Sequence, residues 1–328
     1  MNPFSYARPQ RIDEAIRLFQ PHSLYIAGGT NLLDLMKENV ERPQQLIDIT
    51  RLPLRGIDET AEGGARVGAL VSNADLAWHP LVERRYPLLS QAILAGASAQ
   101  LRNMATTGGN LLQRTRCYYF YDSTAPCNKR EPGSGCGALT GLNRMHAILG
   151  HSEQCIAVHP SDMCVALAAL NATVHVHGPQ GERKVPMSGF HRLPGDHPAQ
   201  DSNLLDGELI TAVELPAEDY SRHSAYLKVR DRASYAFAIV SVAAALDLDD
   251  GMIRSARLAL GGVAHKPWRN PQAEAAMVGE TPSDAAFNAA ADVLLHGAVG
   301  FHDNAFKIDL ARRAIVRALT DAARGATQ

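Results

Sequence analysis

The sequence lacks several features that would assign it to common classes of protein. It has no long basic or acidic run, and its formal net charge of −2 disfavours nucleic-acid binding and a polybasic membrane patch. No apolar stretch approaches the roughly 20 residues that a membrane-spanning helix needs. Residues 1–6 lack the charged-then-apolar layout of a secretion signal, so we expect no export signal of its own. The 328 residues, 46% of them hydrophobic, suffice for about two globular domains.

The G-x-G-x-x-G pattern is also missing, so a dinucleotide site of the Rossmann type is not predicted. Two other glycine segments are present: residues 27–32 are AGGTNL, and residues 105–112 are ATTGGNLL. Glycines between a strand and a helix let backbone N–H groups approach a phosphate. The first segment alone is better explained as a tight turn with Thr30 or Asn31 as a helix N-cap. Two such loops in one domain, however, could hold a pyrophosphate from both sides.

Alternating short helices and strands predict an α+β fold. The predicted elements are a helix (12–19), a strand–helix–strand unit (24–49), a helix (89–94), a helix (161–170), two strands (172–177 and 208–215), three further strands (224–229, 236–248 and 253–260) and alanine-rich helices (270–325). A linker over 216–222 predicts a domain boundary near residue 219.

Residues 113–155 break this pattern. They contain four consecutive aromatic residues and then many glycines and prolines, with no regular periodicity. An irregular stretch of this length is usually functional or disordered. Aromatic residues and cysteines argue against disorder, so something other than an apolar core must organise the segment.

All five cysteines lie between positions 117 and 164, at Cys117, Cys127, Cys136, Cys155 and Cys164. An odd cluster in a large chain without a signal favours metal or redox chemistry over a disulfide framework. No pair has the C-x2-C spacing of zinc ribbons or bacterial ferredoxins. Cys164 falls in a predicted amphipathic helix, where a free cysteine behaves as a small hydrophobic residue, which leaves four candidate ligands.

Three kinds of chemistry fit those four cysteines. Four thiolates hold a [4Fe–4S] cluster if a loop wraps around it, and glycines and prolines permit such wrapping. A structural zinc site would use the same residues, with His146, His151 or His159 as substitute ligands. Disulfides would form if the protein were exported.

Several segments resemble a known family. The two glycine segments and HPSD at 159–162 resemble the FAD domain of vanillyl-alcohol-oxidase-type flavoproteins, specifically the flavin subunits of the xanthine dehydrogenase (molybdenum hydroxylase) family. KVRDRASYA at 228–236 and GGVAHKP at 261–267 resemble that family's C-terminal domain. Residues 116–117, PCNKR at 126–130 and PGSGC at 132–136 resemble the flavin subunits of three-subunit periplasmic aldehyde oxidoreductases. The resemblance covers essentially the whole chain.

The resemblance implies a two-part FAD-binding domain of the vanillyl-alcohol-oxidase (PCMH) type over 1–218, with 113–155 as an inserted iron–sulfur loop. A smaller α+β domain over 219–328, with a three-stranded antiparallel sheet and helices, would follow. The implied FAD contacts are Ile26, Ala27, Gly28, Gly29, Thr30, Asn31, Leu32, Thr106, Thr107, Gly108, Gly109, Asn110, Gln113, Asp162, Ile210 and Lys228. The implied ligands of a [4Fe–4S] cluster are Cys117, Cys127, Cys136 and Cys155.

Two of these flavin contacts, and Tyr235 as a further candidate, also have simpler interpretations. Lys228 near the isoalloxazine would stabilise an anionic reduced flavin, but without the resemblance it would be taken for a solvated strand residue. Tyr235, which the family places near the same ring, would be taken for a core aromatic, and Asp162 for part of a helix cap.

The resemblance also implies a function in a complex. A large subunit with the molybdenum cofactor would oxidise an aldehyde, and a small subunit with two [2Fe–2S] clusters would pass electrons to FAD here and on to an external acceptor. The chain shows no nucleophile–base pair, which places the substrate chemistry on a partner.

Other functions fit parts of the same pattern. The complex could instead act on an aromatic heterocycle or a CoA thioester, the chain could be a stand-alone flavin reductase, or it could be a zinc-stabilised binding module. We expect a periplasmic location, by export together with a signal-bearing partner, and otherwise a cytoplasmic one.

Overall fold

The computed structural model describes residues 1–325 and is built from three β-sheets with helices packed on them. The strands are β1 (Ser5–Ala7), β2 (Ser23–Ile26), β3 (Gln45–Asp48), β4 (Ile57–Glu59), β5 (Ala65–Gly68), β6 (Thr173–Gly178), β7 (Gly181–Pro186), β8 (Leu209–Leu215), β9 (Ser224–Val229), β10 (Val240–Asp249), β11 (Met252–Gly261) and β12 (Trp268–Arg269).

The helices are mostly short. They are α1 (Ile12–Leu18), α2 (Leu32–Lys37), α3 (Asn73–Ala77), α4 (Pro80–Arg85), α5 (Pro87–Ala95), α6 (Ala99–Met104), α7 (Thr107–Leu111), α8 (Tyr118–Tyr121), α9 (Asp162–Ala169), α10 (Met187–Phe190), α11 (Pro271–Ala275), α12 (Asp284–Leu294) and α13 (Phe306–Arg324). Within residues 1–325, no helix is both long and apolar enough to cross a bilayer.

The first sheet is parallel, with the strand order β1-β3-β2. Helix α1 connects β1 to β2, and α2 connects β2 to β3, as the predicted strand–helix–strand unit requires. Ala15, Ile47 and Leu52 form its buried core with Leu209 of β8, which joins this unit to the second sheet. The glycine turn between β2 and α2 is thereby held at the edge of the domain core.

The second sheet is antiparallel, with the order β4-β5-β8-β6-β7. Its buried side chains pack with α5 and α9 into the largest apolar core. Every residue of α9 is buried, because the helix packs both against α5 and against β10 and β11 of the third sheet. Asp162, the first residue of α9, therefore lies where the two sheets meet.

The third sheet has the order β12-β11-β10-β9, and α12 and α13 cover the face opposite α9. The predicted α+β class is confirmed by these helices and mixed sheets. The prediction of three strands in this sheet was wrong by one, since Trp268–Arg269 pairs with Leu260 and Ala259. A two-residue strand has no periodicity to detect, so sequence reasoning could not find β12.

Residues 113–155 contain one four-residue helix, α8, and are otherwise turns and isolated bridges, one of them between Cys127 and Cys136. Hydrogen bonds from side chains to backbone carbonyls take the place of the backbone hydrogen bonds between paired strands. Arg130 donates to the carbonyls of Tyr119 and Phe120 at 2.6 and 2.9 Å. The fully buried Lys307 of α13 donates to the His146 carbonyl at 2.7 Å. Polar contacts therefore hold this segment, as the lack of periodicity indicated.

Candidate cofactor cleft and cysteine cage

A cleft of about 1210 Å³ opens between the β2–α2 turn, the α6–α7 segment and the start of α9. Its volume lies above the ~300–1,000 Å³ of most small-molecule pockets, which suits a long ligand such as a dinucleotide. The predicted flavin contacts that line it are Ile26, Ala27, Gly28, Gly29, Thr30, Asn31, Leu32, Thr106, Gly108, Gly109, Asn110, Gln113, Asp162, Ile210 and Lys228. Residues far apart in sequence are thus brought to one cleft.

The first glycine segment approaches the start of the second at Gly28, next to Met104 and Ala105. A Cβ placed there would lie 1.8 Å from the Met104 carbonyl oxygen, so only glycine fits this close approach of two backbones. Within residues 1–325, the backbone N–H groups of Gly29, Thr30 and Asn31 have no hydrogen-bond partner. A loop of unpaired amides facing a cleft is a suitable donor set for phosphate oxygens.

The second glycine segment contributes less than the sequence suggested. Thr107 does not line the cleft, because its hydroxyl and its N–H both donate to the Val71 carbonyl and the residue is buried. The N–H of Gly108 likewise donates to the Ala69 carbonyl and is not available to a ligand. Amide donors to a pyrophosphate would therefore come mainly from the first segment. The second segment supplies close backbone approach and the side chain of Asn110, which accepts from Gln113 at 2.9 Å.

A buried charge pair closes the inner end of the cleft. Lys228 Nζ donates to Asp162 Oδ2 at 2.7 Å and to the Ala95 carbonyl at 3.1 Å. Tyr226 donates its hydroxyl to Asp162 Oδ1, also at 2.7 Å, and burial beside that carboxylate raises its pKa well above the ordinary value, which keeps it a donor. The helix cap is Ser161, whose Oγ accepts from Cys164 N at 3.0 Å. The carboxylate of Asp162 is thus free to hold the two β9 side chains.

We predict that Tyr226→Phe lowers the free energy of unfolding by about 1.5–3 kcal/mol, the usual worth of a hydrogen bond to a charged group. Tyr25→Phe is the matched control, because Tyr25 donates to a neutral carbonyl, that of Gly207, at 3.0 Å. Its expected cost is about 0.5–1.5 kcal/mol. Urea unfolding of both variants checks the difference. Equal costs would mean that the Asp162 carboxylate does not depend on the tyrosine.

Sequence reasoning missed one wall of the cleft. Gly96, Ala97, Leu101, Arg102 and Met104 line it from the α5–α6 region. Arg102 is held by the Gly96 carbonyl at 2.6 Å. A basic residue just before the second glycine segment was the only signal available. The exposed Tyr235, with a φ of 51°, lines the mouth of the cleft, so its interpretation as a core aromatic was wrong.

Cys117, Cys127, Cys136 and Cys155 line one small cavity, which we term the cysteine cage. All are free thiols. Burial raises the pKa of Cys117 to about 12 and that of Cys155 to about 11, and neighbouring cage cysteines add to both increases. Four thiols gathered around one cavity fit a metal group that displaces their protons. Cys164 lies outside this cavity, completely buried in α9.

The geometry bears on the zinc alternative. A tetrahedral zinc ion with bonds of ~2.3 Å brings its sulfurs within about 4 Å of one another. Among residues 1–325, no three cage cysteines have their sulfurs that close together. The group whose ligand atoms all lie within 4.8 Å of one another is His159, Cys164 and His191. A larger metal group spaces its thiolates farther apart. Of the three histidines proposed as substitutes, His146 reaches the cage, 3.1 Å from Cys117 Sγ, whereas His151 stacks on Phe301 and His159 on His191.

The His159–Cys164–His191 group is itself poorly arranged for a metal. Ser161 N donates to His159 Nδ1, which leaves the proton of a neutral ring on Nε2. His191 contacts the Leu111 carbonyl through Nε2, so its Nδ1 is the acceptor. Burial lowers the pKa of both rings, which are neutral. With its proton on Nε2, the nitrogen that faces Cys164 and His191, His159 offers no lone pair to a metal there.

Comparisons with known proteins agree along the whole chain. Residues 2–218 match the model of the FAD binding domain in molybdopterin dehydrogenase, and residues 225–322 match the CO dehydrogenase flavoprotein C-terminal domain. The chain is 52% identical to the aldehyde oxidoreductase FAD-binding subunit PaoB of Escherichia coli, over 98% of this chain and 99% of that one. It is 29% identical to the glyceraldehyde dehydrogenase medium chain of Sulfolobus acidocaldarius, over 86% and 83%.

The fold matches as widely. A chain of carbon monoxide dehydrogenase from Hydrogenophaga pseudoflava superimposes with a TM-score of 0.78 at 28% identity and covers 99% of both chains. Full-length similarity to FAD-binding subunits is incompatible with the alternative of a zinc-stabilised binding module.

Proposed function

We propose that this chain, which belongs to the FAD-binding medium subunits of the molybdenum hydroxylase family, is the electron-transfer subunit of a molybdenum-dependent aldehyde oxidoreductase. The 52% identity to an aldehyde oxidoreductase subunit along 98% of the chain carries the proposal. Relatives described as medium chains and subunits support a complex with a large molybdenum-cofactor subunit and a small subunit with two [2Fe–2S] clusters.

In this proposal the first glycine segment binds the pyrophosphate of FAD. The free amides of Gly29, Thr30 and Asn31 donate to the phosphate oxygens, and Gly28 lets the two loops meet. Ile210 and Lys228, which line the same cleft, would lie beside the isoalloxazine. Because Asp162 already neutralises Lys228, the lysine orients the ring rather than adding a net positive charge.

The four cage cysteines are the proposed ligands of a [4Fe–4S] cluster. Their position around one cavity supports this assignment, and the close spacing that a single zinc ion requires is not found among these four cysteines. A positive charge also lies at the cage. Lys129 lines the same cavity and favours the thiolate of Cys155.

The cage lies next to the cleft. Arg116 lines both the cleft and a smaller cavity that Cys117, His146 and Asp162 also line. When bound, FAD supplies the conversion between one-electron and two-electron transfer, and an iron–sulfur cluster supplies one-electron transfer. The chain's own residues hold the two groups adjacent and shield the inner end of the cleft from water.

Anaerobic addition of an aldehyde to the purified complex tests the function. We expect bleaching of the flavin absorbance, four additional irons per medium subunit beyond those of the small subunit, and no bleaching when this chain is mixed with aldehyde alone. Bleaching by the isolated chain would instead identify a stand-alone flavin reductase. A response to N-heterocycles or CoA thioesters but not to aldehydes would contradict the substrate class.

We also propose the domain division at residue 219, in the segment between β8 and β9. The two family models, which end at residue 218 and begin at residue 225, support it. The last three residues of the proposed 219–328 domain lie outside the described residues. Periplasmic location by export with a partner stays a prediction, which cell fractionation checks.

A further inference from the structure

We propose that the cysteine loop, residues 113–155, positions the pyrophosphate-binding segment, so that assembly of the cage tightens the retention of FAD. The proposal rests on the proposed function, because it assumes FAD in the cleft and a metal cluster in the cage. It concerns a coupling between the two sites rather than either site alone.

Asn31 is the direct link. Its side-chain oxygen accepts from Arg114 N at 2.8 Å, and its side-chain nitrogen is 3.4 Å from the Tyr121 hydroxyl. Both polar ends of Asn31 are therefore held by the cysteine loop, while its backbone N–H stays free for the cleft. Arg116 also donates to the Tyr121 hydroxyl, at 2.5 Å. The orientation of the binding segment thus depends on where α8 lies.

Apolar packing reinforces this link. Leu35 of α2, which follows the binding segment directly, packs with Phe120 of α8 and with Cys127 of the cage in one buried cluster. The guanidinium of Arg114 lies 4.9 Å above the Phe120 ring and pairs with Asp201 through Nε at 2.6 Å. Lys129, beside the cage and 3% exposed, pairs with the same Asp201. The cage and α2 therefore share α8 as a common support.

The cage is required for this support because the loop has little regular structure. A metal site formed by a loop of this kind orders the loop when the metal binds. Without it, we expect α8 to be less firmly held and the contacts of Tyr121 with Asn31 and of Phe120 with Leu35 to loosen, although Arg114 keeps its ion pair with Asp201. By thermodynamic reciprocity, FAD in the cleft must also stabilise the cage.

Two variants test the coupling in the complete complex, with FAD release measured from flavin fluorescence after dilution. Tyr121→Phe removes the hydroxyl that Asn31 and Arg116 contact, and we expect FAD release about 3- to 10-fold faster. Cys136→Ser removes a cage ligand outside the Leu35–Phe120–Cys127 cluster, and we expect release roughly 5- to 100-fold faster.

Tyr118→Phe is the matched control. Tyr118 lies in the same helix, is 60% exposed and makes no side-chain hydrogen bond within residues 1–325, so FAD release should stay at the wild-type rate. If Tyr121→Phe also releases FAD at that rate, the coupling is wrong, whether or not Cys136→Ser folds. If the proposal of an iron–sulfur cluster is wrong, iron analysis shows this separately, because the wild-type complex then has no iron in this subunit. The comparison of Tyr121→Phe with Tyr118→Phe still tests the loop contact in that case.

Discussion

Gly28→Ala should yield a protein that has lost FAD, with affinity lowered roughly 100-fold, the scale on which a misplacement of about 1 Å affects a positioned group. The added Cβ would lie 1.8 Å from the Met104 carbonyl oxygen and 2.7 Å from its carbon. Backbone atoms cannot rotate away as a side chain can, so the two walls of the cleft must separate. The N–H groups of Gly29 and Thr30 move with the displaced segment. Flavin content after gel filtration and titration of the apoprotein with FAD measure the effect.

The steric overlap at Gly28 should also lower the free energy of unfolding by about 1–3 kcal/mol. A control is therefore needed to show that a glycine-to-alanine change elsewhere does not by itself cause loss of FAD. Gly189→Ala provides it, since a Cβ at Gly189 would meet no atom within 4 Å and the residue lies in the short helix α10. This variant should bind FAD as the wild type does. If Gly28→Ala retained its flavin equally well, the contact between the two glycine segments would not shape the FAD site.

The sequence predicted the parts of this site that depend on local backbone rules. A strand, two glycines and a helix must form a tight turn, and residues 24–37 do so with α2 starting at Leu32 as predicted. The family resemblance named most of the other residues that line the cleft, and their contact with FAD stays a prediction. Their pairing could not be predicted, because Asp162 and Lys228 are 66 positions apart and meet only when α9 packs under the third sheet. The same limit explains Thr107, whose neighbours resemble a binding loop but whose polar groups are used by Val71.

The cysteine loop illustrates the opposite case. No local rule predicted its course. Composition indicated only that something other than an apolar core orders these thiols, and the iron–sulfur cluster stays a prediction that the family resemblance implies. The charged residues that fix it were invisible to that reasoning. Asp201, far along the chain, pairs with Arg114 and Lys129, and these cations hold its pKa below the ordinary carboxyl value although burial opposes this. Long-range pairing of this kind requires the tertiary fold.

Cys127→Ser should remove the iron of the proposed [4Fe–4S] cluster almost completely. Cys127 is buried in the cage, its backbone forms an isolated β-bridge with Cys136, and its side chain packs in the cluster with Phe120. Serine at this position leaves three cysteine thiolates for a cluster that four would bind. Loss of the metal should loosen residues 113–155, since formation of the site is coupled to folding of the loop. Iron analysis, the broad visible absorbance and the rate of proteolysis within 113–155 measure the three consequences.

Cys164→Ser separates ligand loss from general damage. Cys164 is fully buried in α9, and burial raises the pKa of its thiol to about 12, as expected of a packed neutral side chain. Placing a hydroxyl there should cost about 1–3 kcal/mol of stability while the iron content stays that of the wild type. Loss of iron in this variant would overturn the ligand set. Full iron and unchanged protease resistance in Cys127→Ser would overturn the cage itself, because the one thiol left outside the cage, Cys164, is fully buried in α9 and does not line the cavity.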